Sequence, residues 1–379
     1  MTRRSVRLTF LLVILVITTS LSFRRRTPAP LAGPHWPIDE LTPEEVVKHF
    51  GGSLVAEGEL DLRFRWFPDP RWPGLLTRED EIRLVDSLSR IPRVTALEFF
   101  GRELADESLE ELSRWVPGVT KIEMSYVGLS RRAGEWLGNW SNAKSLEFTK
   151  CRFQPGALDG LRRLPQLERL EFKHCLGVRL AGAGSGFGRL RVLTIDGYPS
   201  DRGKCDCGFV ADCKNLEWFT LGSPAFGTRW TEYCRGLRHL RYLDGEGAGA
   251  DDAACRILAE LPELETLILS GGITDAGVAA LEGAPKLATL SVGISRCGDG
   301  CIPSLLKMRC LRRVSLAYSR VTASGVQCLI DAKWPGTVYV SHWIPGGNHH
   351  APAGNETTKV EQATGYNTST PYQFRLERP

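Results

Sequence analysis

The chain lacks the short motifs that mark common catalytic sites. Its 379 residues contain no G-x-S-x-G, no H-E-x-x-H and no phosphate-binding glycine loop that ends in lysine. The seven histidines are scattered, and His349 and His350 lie in a polar C-terminal stretch. We therefore predict that the chain is not an enzyme and has no catalytic, cofactor-binding or metal site.

The chain also lacks a strong charge bias. Its net charge is +4, and six of the positive charges are arginines within residues 1–26, which leaves 4 − 6 = −2 for the rest. A general nucleic-acid binder needs a basic surface that neutralises phosphates. The composition therefore predicts no nucleic acid among the partners.

Long hydrophobic runs are scarce, and one run near the N-terminus stands out. The 16 residues from Leu8 to Phe23 are uncharged and mostly apolar, with arginines on both sides. As a helix they span about 24 Å, short of the hydrocarbon core of about 30 Å. We predict a signal peptide or an N-terminal membrane anchor over 1–26, followed by a linker over 27–40. The protein would then be exported or membrane-anchored through this segment, on either side of the membrane.

What the chain does contain is a ladder of apolar triplets of the form apolar-x-x-apolar-x-apolar. The middle members, 23 to 26 residues apart, are Leu97, Ile122, Leu146, Leu170, Leu193, Phe219, Leu243, Leu267, Leu290 and Val314. The last two apolar members of a unit alternate with polar residues, as in a strand with one buried face. Helix-like stretches follow, such as 274–281, where Thr274 or Asp275 can cap the N-terminus. A fixed period of this size predicts a stacked-repeat solenoid.

Two units carry a further match. Leu167-Leu170-Phe172-Cys175 and Leu146-Phe148-Cys151-Phe153 follow the pattern L-x-x-L-x-L-x-x-(N or C)-x-L. Residues 94–340 therefore resemble the leucine-rich repeat family, in its subclass with helices on the convex side. The resemblance implies an α/β fold: a right-handed solenoid, or horseshoe, with a parallel sheet on the concave face and helices on the convex face.

The two ends of the ladder are predicted to be caps. Residues 41–93 form the N-terminal cap region, with a helix candidate over 77–91 and an irregular strand near Leu62. At the other end, 338–340 is predicted to be a closing strand that shields the last layer. Beyond it, 341–379 is polar and loses the repeat, which indicates a disordered tail.

Eleven cysteines are present, an odd number. Cys151, Cys175 and Cys255 occupy repeat positions that should be buried, so we interpret them as structural thiols. Three others, Cys205, Cys207 and Cys213, cluster in the longest unit. Their spacing leaves three alternatives open: disulfide or redox pairing, a zinc site with Cys234 as a distant fourth ligand, or plain loop thiols.

Glutamates recur at the outward strand position of the first four units. Glu98, Glu123, Glu147 and Glu171 should form a column of like charges on adjacent strands. One alternative is a solvated face of mixed charge, because Lys121 and Arg169 are close in sequence. The other is an acidic strip that binds a basic partner.

Large aromatic residues follow on the neighbouring outward position. Trp218 and Tyr242 belong to consecutive units, and Asp244 lies beside Tyr242. Aromatic residues that face solvent from a strand are typical binding anchors. Alternatively, the insertion over 198–213 covers them.

Together these features predict a non-catalytic protein-interaction scaffold that binds a protein or peptide on the concave face. The predicted contact residues are Trp218, Tyr242, Asp244, Glu98, Glu123, Glu147 and Glu171. Two other functions stay open: a substrate-recognition subunit of a larger enzyme complex, and thiol-redox chemistry in the cysteine cluster. Besides this partner, the membrane would be contacted through the N-terminal segment if that segment is not cleaved.

Overall fold

The computed structural model describes residues 42–49, 52–56, 62–66, 78–91, 94–101, 106–180, 185–196, 208–222 and 228–340. The predicted N-terminal segment, linker and C-terminal tail lie outside these ranges. Residues from Pro43 onward form one compact unit.

Short strands alternate with helical segments along the described chain. The strands are β1 Gly52–Ala56, β2 Leu62–Trp66, β3 Val94–Phe100, β4 Lys121–Ser125, β5 Gly128–Leu129, β6 Ser145–Thr149, β7 Arg152–Phe153, β8 Arg169–Lys173, β9 Val192–Asp196, β10 Trp218–Leu221, β11 Tyr242–Ala250, β12 Thr266–Gly271, β13 Thr289–Gly293, β14 Arg313–Ser315 and β15 Thr337–Tyr339. The α-helices are Pro43–His49, Arg78–Ser89, Asp106–Trp115, Arg131–Leu137, Asp252–Leu258, Asp275–Ala280, Ile302–Lys307 and Ala323–Asp331. The 3-10 helices are Asp159–Arg163, Ser185–Phe187, Gly208–Asp212, Thr228–Cys234, Leu281–Gly283 and Asp299–Cys301.

Thirteen of these strands form one sheet, in which spatial order follows chain order from β1 to β15 and omits only β5 and β7. β1 pairs antiparallel with β2, and the later neighbours pair parallel. The register places Leu97, Ile122, Leu146 and Leu170 opposite one another. This confirms the predicted α/β solenoid, because parallel neighbours require a crossover on the other side of the sheet.

The core is a continuous stack of the apolar triplets. Their apolar members are at most 3% exposed, so none of them is left at the surface. Phe148 and Phe172 stack with ring centroids 5.4 Å apart, and Phe153 packs edge-on against both rings. Burying each such ring stabilises the fold by about 1.5–3 kcal/mol. Because each ring contacts the neighbouring unit, stability depends on stacking.

A left-handed residue ends several of the strands. Tyr126, Lys150 and Ile294 have φ between 51° and 59° although none of them is glycine. This conformation costs about 1–2 kcal/mol per residue. The cost is offset by a backbone bond to the next unit, as where the Tyr126 N–H donates to the Thr149 carbonyl over 2.9 Å.

Carboxylates link successive helix starts near the C-terminal end. Asp252 accepts hydrogen bonds from the Thr274 N–H (2.8 Å) and hydroxyl (2.7 Å). Asp299 accepts the same two bonds from Thr322. Gly277 leaves room for this link, since a Cβ there would lie 2.4 Å from Asp252 Oδ1. The Thr274 side chain also caps its helix, as predicted.

The buried cysteines have a repeated structural role. Cys151 Sγ donates to the Met124 carbonyl over 3.2 Å, and Cys175 Sγ donates to the Phe148 carbonyl over 3.3 Å. Each thiol thus satisfies a carbonyl of the preceding unit. These two cysteines and Cys255 are buried, which confirms the structural interpretation.

The middle units have 3-10 helices where the subclass resemblance implies α-helices. In one of them, a Cβ at Gly160 would lie 2.0 Å from the Gly134 carbonyl oxygen. The backbones of neighbouring units therefore approach closely at this point, and the narrower 3-10 winding fits the space. The glycine-rich stretch at 181–188 follows the same rule, with a single 3-10 turn at Ser185–Phe187.

Both ends of the described solenoid carry the expected elements. The helix Arg78–Ser89 lies within the predicted 77–91 range and buries Leu84 and Leu88. At the other end, β15 pairs with β14 and confirms the closing strand.

Candidate functional site

The solvent-facing side of the main sheet, called the sheet face below, carries the predicted site residues. The register places Glu98, Glu123, Glu147 and Glu171 in one line across β3, β4, β6 and β8. Neighbouring strands are about 4.8 Å apart. The glutamate column, meaning these four residues, is therefore real.

Basic side chains neutralise much of the glutamate column. Lys173 Nζ donates to Glu147 over 2.8 Å and lies 2.7 Å from a Glu171 carboxylate oxygen. Arg169 donates to Glu171 over 2.7 Å, and Lys121 Nζ lies 2.6 Å from Glu123. The column thus leaves little unpaired charge to attract a partner.

The pKa values of the central pair reflect this pairing. Burial alone would raise the pKa of Glu171, but the hydrogen bonds from Lys173 and Arg169 outweigh it and lower that pKa. Burial would lower the pKa of Lys173, but the bonds to Glu147 and Glu171 outweigh it and raise that pKa. Both groups are therefore held in their charged forms.

Trp218 and Tyr242 come together on the sheet face. They lie directly opposite each other at the starts of β10 and β11. Their rings stack with centroids 3.5 Å apart and planes at 9°. Trp218 is 43% exposed, whereas Tyr242 is half-buried. These two residues, called the aromatic pair, are thus open to solvent on the tryptophan side.

Two contacts orient the aromatic pair. The indole N–H of Trp218 donates to the Thr220 hydroxyl over 3.2 Å. The Tyr242 hydroxyl is hydrogen-bonded to Asp244, and the pKa of Tyr242 is raised by burial, by this carboxylate and by Glu246. Both rings are therefore held by residues of β10 and β11 and do not depend on a partner for their position.

Acidic side chains lie toward the strand ends beside the aromatic pair. Asp244 accepts a hydrogen bond from the Glu246 N–H over 3.0 Å. Asp196 lies against Gly222, where a Cβ would be 2.6 Å from its Oδ1. Within the described ranges, no lysine or arginine forms an ion pair with Asp244 or Glu246. Asp196 has His174 at 3.9 Å, which is charged only when protonated.

We call Asp196, Asp244 and Glu246 the acidic edge. Sequence reasoning noted Asp244 and Glu246 but missed Asp196, and it also missed Lys173 as the cation of the glutamate column. A signal existed, because residues 173, 196, 222 and 246 occupy the third outward position of consecutive strands.

A buried tryptophan braces the sheet beneath the aromatic pair. Trp230, in the 3-10 helix Thr228–Cys234, is 1% exposed and packs edge-on to Phe219 at 6.4 Å. It fills the space beside Gly245, where a Cβ would lie 2.9 Å from the indole ring. This explains why one triplet of the ladder ends in glycine.

The N-terminal strand edge carries two open clefts of about 420 and 470 Å³. Both are lined by Arg191, Glu217 and His239, and Arg191 pairs with Glu217 over 2.7 Å. The described residues that line them include no serine or cysteine. The clefts therefore offer compensated charge and no nucleophile.

The cysteine cluster is described only in part, since Cys205 and Cys207 lie outside the described residues, as does the insertion over 198–207. Cys213 is fully buried and its thiol donates to the Phe209 carbonyl. Burial, with a contribution from Asp212, raises the pKa of Cys213 to about 12. This thiol is protonated at neutral pH, which disfavours a redox role for it.

Metal ligands and membrane-spanning segments were also sought in the described ranges. There, no three His, Cys, Asp or Glu side chains are grouped so that they could hold a metal ion. Nor is any helix of this part long and apolar enough to cross a membrane. The predicted signal peptide or anchor lies outside this part of the chain.

No protein-family model and no curated protein sequence matches the chain. Among solved structures, it is similar to an internalin (inlF) from Listeria monocytogenes, at 12% identity over 68% of this chain and 82% of that one, with a TM-score of 0.46. It is similar to TLR13 in the TLR13–ssRNA13 complex, at 15% identity, 64% and 38% coverage and a TM-score of 0.48. A mouse RP105/MD-1 complex gives 17% identity, 64% and 46% coverage and a TM-score of 0.46.

The chain spans less than half the length of the second and third of these proteins. At such identities the likeness is one of architecture. The 24-residue period, the in-line register and the single, almost entirely parallel sheet independently define the same architecture. The chain has the fold of a leucine-rich-repeat solenoid.

Proposed function

We propose that the protein is a non-catalytic binding scaffold whose sheet face holds a peptide or protein segment against the aromatic pair. The observation that carries the proposal is the stacked Trp218 and Tyr242, exposed on an open sheet. Tryptophan and tyrosine are the residues most enriched where a few side chains dominate binding free energy.

The rigidity of the aromatic pair supports this function. Both side chains are fixed by hydrogen bonds to Thr220 and Asp244 before any partner arrives. Binding then costs little additional side-chain entropy, which favours affinity. A ring that only completed the core would be buried, as Phe219 and Trp230 are.

Small residues border the pair on both sides. Val192 lies opposite Trp218 on β9, and Thr266 lies opposite Tyr242 on β12. Both are shorter than the rings, so the pair stands above its neighbours. A bound segment can therefore contact the indole face as well as the strand surface beside it.

The glutamate column has a different role in this proposal. Its carboxylates are engaged by Lys121, Arg169 and Lys173, so we assign the column to holding adjacent strands together. Asp244 stays within the proposed contact because it lies beside Tyr242. A nucleic-acid partner is disfavoured there, since Asp244 and Glu246 would repel phosphates.

The test is selection of peptides from a random displayed library by the full chain. Peptides enriched by the wild-type protein should be lost with Trp218→Ala/Tyr242→Ala. They should be retained with Phe100→Ala/Tyr126→Ala, which removes another exposed aromatic contact, with centroids 5.0 Å apart, at the N-terminal end. Enrichment that survives loss of the aromatic pair, or none at all, would refute the proposed site.

A further inference from the structure

We propose that the aromatic pair and the acidic edge together select an arginine side chain of the bound segment. This inference rests on the proposed function and adds the chemistry of the partner. The guanidinium would stack on the open side of Trp218 and face Asp244 and Glu246.

The first argument is the uneven neutralisation of charge along the sheet face. The carboxylates of Glu123, Glu147 and Glu171 each have a lysine or arginine within 2.8 Å. In contrast, Asp244 and Glu246 have no such partner among the described residues. Two strands that bury similar cores thus differ in one respect: near the aromatic pair, a cation is missing.

The second argument is distance along the strands. Asp244 is two residues beyond Tyr242, so it lies about 7 Å along β11, and Glu246 is displaced further in the same direction. A cation binds an aromatic face within about 6 Å of the ring centroid. One cationic group over Trp218 can therefore contact the ring and also feel the field of the nearby carboxylates.

The third argument distinguishes arginine from lysine. A guanidinium is planar, stacks on aromatic faces and donates two parallel hydrogen bonds to a carboxylate, whereas an ammonium is a compact, strongly hydrated charge. The Trp218 indole plane is fixed by stacking on Tyr242 and by Thr220. A fixed flat surface favours the flat cation.

The experiment uses the full chain with ¹⁵N-labelled tryptophan and three probes: N-acetyl-arginine amide, N-acetyl-lysine amide and the neutral isostere N-acetyl-citrulline amide. The Trp218 indole signal, one of ten tryptophan signals, is assigned with Trp218→Phe. We expect arginine to shift it saturably with about tenfold higher affinity than citrulline, and with lysine in between.

A charge variant tests the acidic edge. Glu246→Gln removes the exposed carboxylate and leaves the backbone N–H that bonds Asp244. It should narrow the arginine-to-citrulline affinity ratio by about twofold to fivefold. Glu135→Gln, on the exposed surface of the helix Arg131–Leu137, removes one charge elsewhere and should leave the ratio unchanged.

The outcomes separate this inference from the proposed function. Equal affinities for arginine and citrulline, no saturable shift of the Trp218 signal, or a shift produced by a single-stranded oligonucleotide would overturn the arginine assignment. The protein-binding function would still stand if the displayed peptides depend on the aromatic pair. If those peptides do not depend on it, both proposals fail.

Discussion

Replacing Lys173 with methionine should destabilise the solenoid through the glutamate column. Lys173 is the cation that bridges two adjacent strands, with Glu147 at 2.8 Å and Glu171 at 2.7 Å. Methionine keeps most of the aliphatic length but removes the charge. The two carboxylates would then face each other on neighbouring strands, and only Arg169 would still engage Glu171.

The magnitude follows from exposure. The Glu171 side chain is 10% exposed, and a hydrogen bond to such a charged group contributes about 1.5–3 kcal/mol. The Lys173 side chain is 39% exposed, so solvent screens the pair toward the range of about 0.2–1 kcal/mol found for surface pairs. We expect a loss of about 1–2 kcal/mol at neutral pH.

The loss should depend on pH at both ends of the scale. The pKa of Glu171 is lowered, so its contribution is present above the ordinary glutamate pKa of about 4.3 and is lost as pH falls through the lowered value. The pKa of Lys173 is raised, so its contribution is present below about 10.4 and is lost as pH rises through the raised value. The variant's deficit should be constant between these limits and shrink outside them.

Urea unfolding of the full chain, followed by circular dichroism at several pH values, measures the deficit. Lys144→Met is the matched control, because Lys144 is exposed in the same part of the sheet and makes no ion pair in the described structure. Equal stability of the Lys173 and Lys144 variants at neutral pH would refute the reasoning. A deficit that persists undiminished in acid would contradict its electrostatic origin.

Two further predictions concern the core. Gly245→Ala should cost about 1–3 kcal/mol in urea unfolding because the new Cβ would lie 2.9 Å from the Trp230 ring; Gly188→Ala, with nothing within 4 Å, should be nearly neutral, and equal effects would contradict the packing argument. Burial raises the pKa of Cys213 to about 12, so iodoacetamide at neutral pH should modify exposed Cys310 and spare Cys213 until the protein unfolds. Peptide mass spectrometry checks this, and equal modification in the folded state would be inconsistent with it.

The glutamate column and the aromatic pair could be predicted from sequence because of one property of solenoids. Consecutive units lie side by side, so aligning the repeats also aligns lateral neighbours. Glu123 therefore lies opposite Glu147, and Trp218 opposite Tyr242, as the alignment indicates. The cysteines at repeat positions, such as Cys151, could be interpreted for the same reason.

Contacts that depend on how far a side chain reaches were not readable in this way. Lys173 lies two positions from Glu171 in sequence, yet its ammonium also bonds Glu147 on the neighbouring strand. Trp230 fills the space of Gly245 from a segment with no regular place in the repeat. Rotamers and available volume decide both contacts, and neither is encoded by period.

By itself, the sequence determined the solenoid, its period, its buried face and the lateral order of its outward residues, because these follow from apolar spacing and chain connectivity. Only the tertiary structure decided which charges are neutralised and which rings are exposed. Glu171 is paired and nearly buried, whereas Trp218 is stacked and open beside Asp244. Those outcomes depend on the distances between side chains in neighbouring units, and such distances exist only once the units have stacked.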